Sequence, residues 1–122
     1  MLPKNFIVIP ITLVTLLTAC LDDGKLTNDK AQKAIDAFQG SDSGSIVVIG
    51  VQEIPQENLA KASINFNNFQ WQSSRSNSLE EYSGHGVATF SHYNDGRWVL
   101  TKIETSNGLD SIWWDNLSIE AE

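Results

Sequence analysis

The sequence predicts an α+β domain, in which one amino-terminal helix packs on an antiparallel sheet of about four to five strands. Three patterns support this fold class. Apolar residues recur at helical spacing over residues 31–38, they alternate with polar residues over 60–66, and an Asp-Gly turn at 95–96 joins two apolar runs. The 122 residues contain no internal repeat, so we expect a single folded domain.

The helix is predicted from one apolar face and from signals at both of its ends. Its apolar residues are spaced i, i+3, i+4 and i+7: Ala31, Ala34, Ile35 and Phe38. Thr27 or Asn28 is a suitable N-cap, because a short polar side chain accepts a hydrogen bond from the first helical turn. Gly40 is a typical helix stop, and the Ser/Asp/Gly stretch at 40–45 predicts a loop.

Three further segments predict strands. Residues 46–51 (IVVIGV) are a β-branched run that we expect to be buried on both faces. Residues 60–66 alternate, but Phe69 and Trp71 continue on the opposite parity, which predicts a β-bulge or a sharp bend at Asn67-Asn68. Residues 112–119 (IWWDNLSI) predict a final strand.

A hairpin over residues 82–105 is the clearest local motif. Asp95-Gly96 at its tip predicts a two-residue type I′ turn, because that turn requires positive φ angles. Such a turn predicts three cross-strand pairs: Tyr93 with Trp98, His92 with Val99, and Phe90 with Thr101. The face that we expect to be buried holds Ala88, Phe90, His92, Val99, Thr101 and Ile103.

This order of elements, with the hairpin sequence GHGVATFSHYNDGRWVL, resembles the cystatin-like and NTF2-like folds. The resemblance implies a curved sheet that wraps around the helix. It carries over no catalytic or ligand-binding residue.

The first twenty residues, MLPKNFIVIPITLVTLLTAC, have the parts of a secretory signal. Lys4 supplies the positive start, residues 6–17 are an apolar run, and the small residues Thr18 and Ala19 follow. The apolar run is shorter than the roughly 20 residues that a membrane span needs. We therefore expect a segment that directs export and is then removed.

Leu17-Thr18-Ala19-Cys20 resembles the lipobox of bacterial lipoproteins. The resemblance implies cleavage between Ala19 and Cys20 and acylation of Cys20, with an anchor of two or more hydrocarbon chains. We expect a signal peptide at 1–19, a lipidated cysteine and tether at 20–26, and one globular domain at 27–122. In lipoproteins of bacteria with two membranes, an aspartate directly after the lipidated cysteine favours retention in the inner membrane. This chain has Leu21 at that position, so we expect it to be anchored in the outer membrane, facing the periplasm.

Charge and composition narrow the class of partner. The chain has 8 basic and 15 acidic residues, a net charge of −7, which becomes −8 once Lys4 is removed with the signal. That sign repels nucleic acid phosphates and anionic lipid headgroups. We therefore expect no nucleic acid partner, and contact with the bilayer only through Cys20.

No motif predicts catalysis or metal binding. His85 and His92 are seven residues apart, which places them on opposite faces of one strand. No serine nucleophile motif is present, and the only cysteine is Cys20. We expect no catalytic residue, metal or cofactor.

Aromatic residues are the remaining candidates for binding. Trp113 and Trp114 are adjacent, so they must point to opposite faces of a strand. With Tyr93 and Trp98 they form a candidate recognition surface for a protein, peptide or glycan, and plain packing of a small sheet is the alternative.

Three functions follow as hypotheses. The first is a non-enzymatic lipoprotein that binds an envelope component near the membrane. The second is a carrier of a small ligand, with a pocket between the helix and the sheet. A structure in which Phe38, Phe66 and Phe90 fill that space would exclude the carrier. The third is an envelope enzyme that uses His92.

Overall fold

The computed structural model describes residues 24–72, 77–106 and 112–122. The predicted signal segment at 1–19 and Cys20 lie outside the described residues, as do parts of the loops that we expected after Gln72 and Ser106. The elements in chain order are helix α1 (Asn28–Gln39) and strands β1 (Ile46–Ile54), β2 (Leu59–Gln72), β3 (Leu79–His92), β4 (Trp98–Thr105), β5 (Trp113–Trp114) and β6 (Ile119–Ala121). Short 3₁₀ turns occupy Gly40–Asp42 and Pro55–Glu57.

The described strands form one antiparallel sheet in the order β1-β2-β3-β4-β5, and β6 also pairs with β4. Helix α1 packs on one face of this sheet, which confirms the α+β prediction. The single final strand predicted at 112–119 is wrong. Asn116 adopts a left-handed φ of 57°, which interrupts the strand between β5 and β6, while the Leu117 N–H still donates to the Thr101 carbonyl of β4.

Helix α1 has the ends that the sequence predicts. The Thr27 side chain accepts a hydrogen bond from the Lys30 N–H, which makes Thr27 the N-cap. Gly40 ends the helix with a φ of 63°, a conformation that glycine adopts without strain. The residue before the cap, Leu26, is already buried in the core.

The core lies between α1 and the inner face of the sheet. Its largest fully buried side chains are Phe66, Phe90, Ile35, Ile46, Ile64, Leu100 and Ile103. Burying a side chain of this size contributes about 1.5–3 kcal/mol, so each of these seven makes a substantial contribution to folding. Gly86 has no side chain because a Cβ there would collide with the Phe66 ring and the Glu104 carbonyl.

The predicted bulge in β2 is confirmed. Phe66 pairs with Gly84 and Phe69 pairs with Tyr82, so two residues of β2 oppose Ser83 alone. Asn68, at the bulge, has a left-handed φ of 53°. The Ser83 hydroxyl accepts from the Asn68 N–H at 2.8 Å and donates to the Asn68 side chain at 3.0 Å, which holds the extra residue in place.

The predicted type I′ turn between β3 and β4 is wrong. The Tyr93 N–H donates to the Arg97 carbonyl at 2.9 Å, and the Gly96 N–H donates to the Tyr93 carbonyl at 3.0 Å. The loop therefore has three residues, Asn94–Gly96, of which only Gly96 has a positive φ, of 93°. This is a type I turn followed by a glycine bulge, the next commonest way to close a hairpin.

The longer loop shifts the register of the hairpin. His92 pairs with Trp98, Ser91 with Val99, and Phe90 with Leu100, and a second shift follows between Thr89 and Phe90. The core positions that we expected for Val99 and Thr101 are therefore taken by Trp98 and Leu100. Val99 is buried as well, but it lies outside the core cluster, and Thr101 is half-buried.

Strand β1 is an edge strand and is not buried on both faces, contrary to prediction. Two of its residues, Val47 and Ile49, are 42% and 52% exposed. The helix covers only one face, so β-branched composition here reflects strand propensity rather than burial.

Side-chain amides of α1 cover the free edge of β1. The Gln39 amide accepts from the Ile46 N–H at 2.9 Å and donates to the Ile46 carbonyl at 3.0 Å, as a neighbouring strand would. Gln32 accepts from the Val48 N–H at 2.8 Å and also donates to the Ile46 carbonyl. An uncovered edge strand invites pairing with other chains, and these two glutamines prevent it at the start of β1.

We expect Gln39→Ala to lower the free energy of unfolding by about 2–4 kcal/mol, because it leaves the buried Ile46 N–H without a partner and opens a void. Urea unfolding followed by circular dichroism measures this loss. The control Gln52→Ala, at an exposed position of β1, should change stability by no more than about 0.5 kcal/mol. Equal effects of the two substitutions would contradict the role of Gln39.

Asp95 should titrate below the ordinary aspartate range. The Arg97 N–H donates to its carboxylate at 3.1 Å and the Arg97 Nε at 2.8 Å, and these bonds lower the pKa of Asp95. Because the folded pKa is depressed, the resulting stabilisation is present above the unfolded pKa and is lost as pH falls through the folded one. Carboxyl ¹³C NMR titration measures the midpoint.

In that titration, Arg97→Ala should move the Asp95 midpoint upward, whereas Lys102→Ala, at a lysine of β4 that is paired with Glu104, should leave it unchanged. A wild-type midpoint at the ordinary aspartate value would show that the contact does not persist in solution.

Candidate functional site

Six aromatic rings meet at one end of the sheet, and we call them the aromatic cluster. Its members are Phe38, Phe66, Phe69, Trp71, Tyr82 and Trp114. Phe66 and Phe69 are buried, whereas the other four are only partly buried and pack against the core from outside. The cluster therefore joins the core to the surface.

The rings of the cluster contact one another in stacked and perpendicular arrangements. Trp71 and Trp114 lie 5.5 Å apart at 86°, and Phe69 stacks on Trp71 at 6.2 Å and 18°. Phe38 reaches both Phe69, at 6.1 Å, and Trp114, at 5.7 Å. Pairs at these distances add about 0.5–1.5 kcal/mol each beyond the area that they bury, so the contacts between the rings stabilise this end of the sheet.

The cluster lies at what we call the far end of the sheet, where α1 ends. There the Gln39 side chain meets Ile46, the first residue of β1. At the opposite, near end, α1 begins, and the Leu26 N–H donates to the carboxylate of Glu53 close to the end of β1. The Pro55–Glu57 turn and the Asn94–Gly96 loop also lie at the near end, because they connect strands there.

Strands β2 and β3 extend past their neighbours at the far end. β1 pairs with β2 only as far as Phe66, and β4 pairs with β3 only as far as Gly86. Beyond these points Phe69–Gln72 and Leu79–Tyr82 pair with each other, and we call this two-stranded extension the arm. The bulge at Asn67-Asn68 places Phe69 and Trp71 on its inner face, toward Phe38 and Trp114.

The four residues of the predicted binding surface do not lie together. Trp98 is only 3% exposed, and its ring stacks face to face on His92 with centroids 4.0 Å apart. Tyr93 is at the near end, 43% exposed, with the Arg97 guanidinium 5.0 Å from its ring centroid. Trp98 therefore cannot pair with Tyr93 on an exposed face, because the hairpin register turns it inward.

Trp113 and Trp114 point to opposite faces, as predicted. Trp113 is 59% exposed on the face that α1 does not cover, opposite Glu104, whereas Trp114 enters the aromatic cluster. Of the four residues, only Trp114 belongs to the cluster.

The two histidines are separate, as their spacing predicts. His85 is exposed, with its Nδ1 2.6 Å from the Asn65 Oδ1, and His92 lies against Trp98 near the other end of β3. In the described part of the chain no three His, Cys, Asp or Glu residues come together as metal ligands would. No helix there is long and apolar enough to span a membrane.

Sequence reasoning missed the part that Trp71 and Phe38 play in the site. The phase change after Asn67 did indicate that Phe69 and Trp71 turn to a new face, but not that β5 would bring Trp114 against them. That contact joins residues 43 positions apart in the sequence, and no local pattern encodes it.

Comparison with protein-family models, with curated proteins and with solved structures finds no match for this chain. The aromatic cluster and the arm are therefore interpreted from their own geometry.

Adjacent tryptophans should respond very differently to truncation. We expect Trp114→Ala to lower the free energy of unfolding by about 2–4 kcal/mol, because its ring contacts four other rings. Trp113→Ala, the matched control on the open face, should change it by no more than about 0.5 kcal/mol. Denaturant unfolding measures both, and a larger loss for Trp113→Ala would show that the two faces are assigned the wrong way round.

Proposed function

We propose that this chain is an acyl-anchored lipoprotein of the cell envelope, whose domain binds another envelope component and catalyses no reaction. The observation that carries the proposal is Leu17-Thr18-Ala19-Cys20, which ends an apolar, singly charged leader and directly precedes a folded domain. Leu21 favours an outer-membrane anchor facing the periplasm. A curved sheet of the cystatin-like or NTF2-like kind is part of the same proposal.

The tether orients the domain on the membrane. Residues 21–26 span at most about 20 Å when extended, and Leu26 is already buried at the near end. The near end therefore faces the bilayer, and the aromatic cluster and the arm point away from it.

Charge keeps the near end from lying flat on the lipid. The described segments that meet there, 24–27, 53–59, 92–98 and 119–122, contain five acidic and two basic residues, a formal charge of −3. Anionic headgroups repel such a surface. The domain is thus held by its acyl chains at a short distance from the surface.

Packing beneath the helix favours binding at the surface over carriage of a small ligand. Phe66 and Phe90 are fully buried between α1 and the sheet, and Phe38 packs against the same core. These are the three side chains that would fill a carrier pocket. The partly buried rings of the far end are the better support for contact with a partner.

The test compares the full-length wild-type chain with Cys20→Ser in a bacterial host. We expect the wild-type protein to sediment with the membrane fraction and to begin at an acylated residue 20, because lipid attachment needs the thiol. Cys20→Ser should keep its leader or appear unacylated in the soluble fraction. Mass spectrometry of the amino-terminal peptide, with cell fractionation, measures both.

The same cells, treated with a membrane-permeable crosslinker, test the binding role. A partner recovered with wild type and lost with Cys20→Ser supports an anchored interaction module. A wild-type protein that begins at Met1, or that carries a free thiol at position 20, would overturn the anchor. Reproducible failure to crosslink any envelope component would overturn the binding role.

A further inference from the structure

We propose that the far end binds an extended, cationic and apolar peptide segment of a partner protein, which adds as a strand to the free edge of β2 in the arm. The inference rests on the proposed function, since it names the surface and the kind of partner. Three observations support it: an open backbone edge, an aromatic inner face beside that edge, and an acidic surround. The proposed orientation of the domain, with this end away from the bilayer, agrees with it.

The open edge is that of Phe69–Gln72. Among the described residues, the last partners on that side of β2 are Ile46, opposite Phe66, and the Ser45 carbonyl, which accepts from the Asn67 N–H. No described strand continues beyond them. Backbone N–H and C=O groups at such an edge are a template for one more strand.

The contrast with β1 makes this edge informative. Gln39 and Gln32 supply side-chain amides to the free edge of β1 and so close its start, at Ile46 and Val48. No such side chain of the described residues bonds the outer edge of Phe69–Gln72. Among the described residues, the start of the β1 edge is thus covered, whereas the edge of Phe69–Gln72 at the far end is not.

The aromatic cluster lies beside the open edge on the inner face. A strand added there would place alternate side chains next to Phe69 and Trp71, since neighbouring strands lie about 5 Å apart. Apolar side chains of the peptide would pack on the partly buried ring of Trp71, which lies against the buried ring of Phe69. The intervening side chains would face the outer surface of the arm, where Glu81 is exposed opposite Gln70.

Charge selects a cationic peptide. The described segments at the far end, 40–45, 67–72, 77–84, 106 and 112–116, contain four acidic residues and no basic residue, a formal charge of −4. Complementary charge accelerates encounter and is weakened by salt. An acidic peptide of the same shape would be repelled.

The experiment uses the acylated mature protein, which begins at Cys20, in detergent micelles. The protein is labelled with ¹⁵N, and the indole N–H signals of its four tryptophans are followed. The probe is the capped hexapeptide KVKVKV. We expect it to shift the signals of Trp71 and Trp114 and to leave those of Trp98 and Trp113 in place. Affinity should fall at least about threefold between roughly 50 and 300 mM salt, because charge contributes to binding.

Two matched pairs test the mode of binding. Trp71→Ala should weaken binding at least about fivefold, whereas Trp113→Ala should change it less than about twofold. N-methylation of alternate peptide residues removes the hydrogen-bond donors along only one of the two edges of the peptide strand. One methylated set should therefore abolish binding, and the other set should bind as the parent does.

Several outcomes would overturn the inference. Equal binding of EVEVEV would remove the role of charge, and equal binding of both methylated sets would remove strand addition. A shift of Trp71 by a chitin tetrasaccharide, with none by KVKVKV, would indicate a glycan site. Shifts that depend only on protein concentration would indicate a second copy of the chain, and no shift by KVKVKV would reject the peptide.

Failure of the proposed peptide site and failure of the proposed function give different results. If Trp71→Ala still captures the crosslinked partner that wild type captures, the partner binds elsewhere, and the proposed function stands without this site. If wild type captures no partner, the proposed function itself fails.

Discussion

The extra residue at Asn67-Asn68 is the constraint on which the far end of the molecule depends. Before it, β2 turns Ile64 and Phe66 toward the helix, and without it the next inward residues would be Asn68 and Gln70. The bulge changes the parity, so that Phe69 and Trp71 point inward instead. The Ser83 hydroxyl stabilises this arrangement by bonding both the backbone and the side chain of Asn68. The aromatic cluster follows from that one insertion.

Much of the fold is encoded locally, and those parts could be predicted. The cap at Thr27, the helix stop at Gly40 and the bulge in β2 each depend on residues close together in sequence. The hairpin was predicted at the right place but in the wrong register. The Asp95-Gly96 sequence is compatible with both a two-residue and a three-residue hairpin loop. The choice between the two loops follows from the burial of Trp98 and Leu100 in the core, which lies outside the turn itself.

The candidate site was less accessible to sequence reasoning. Exposure of a tryptophan depends on which strand lies next to it, and β5 is only two residues long. Nothing around Trp113 and Trp114 indicates that the second packs against Trp71 and Phe38. Likewise, the β-branched run of β1 is typical of a buried strand, but its place at the sheet edge leaves Val47 and Ile49 exposed.

The bond between Gln39 and Ile46 closes a loop of only seven residues. The contact costs little chain entropy to form, because it lies so close in sequence. It occupies the backbone groups through which Ile46 could otherwise pair with another molecule. A helix side chain thus acts as a safeguard against aggregation at the start of a strongly β-branched segment.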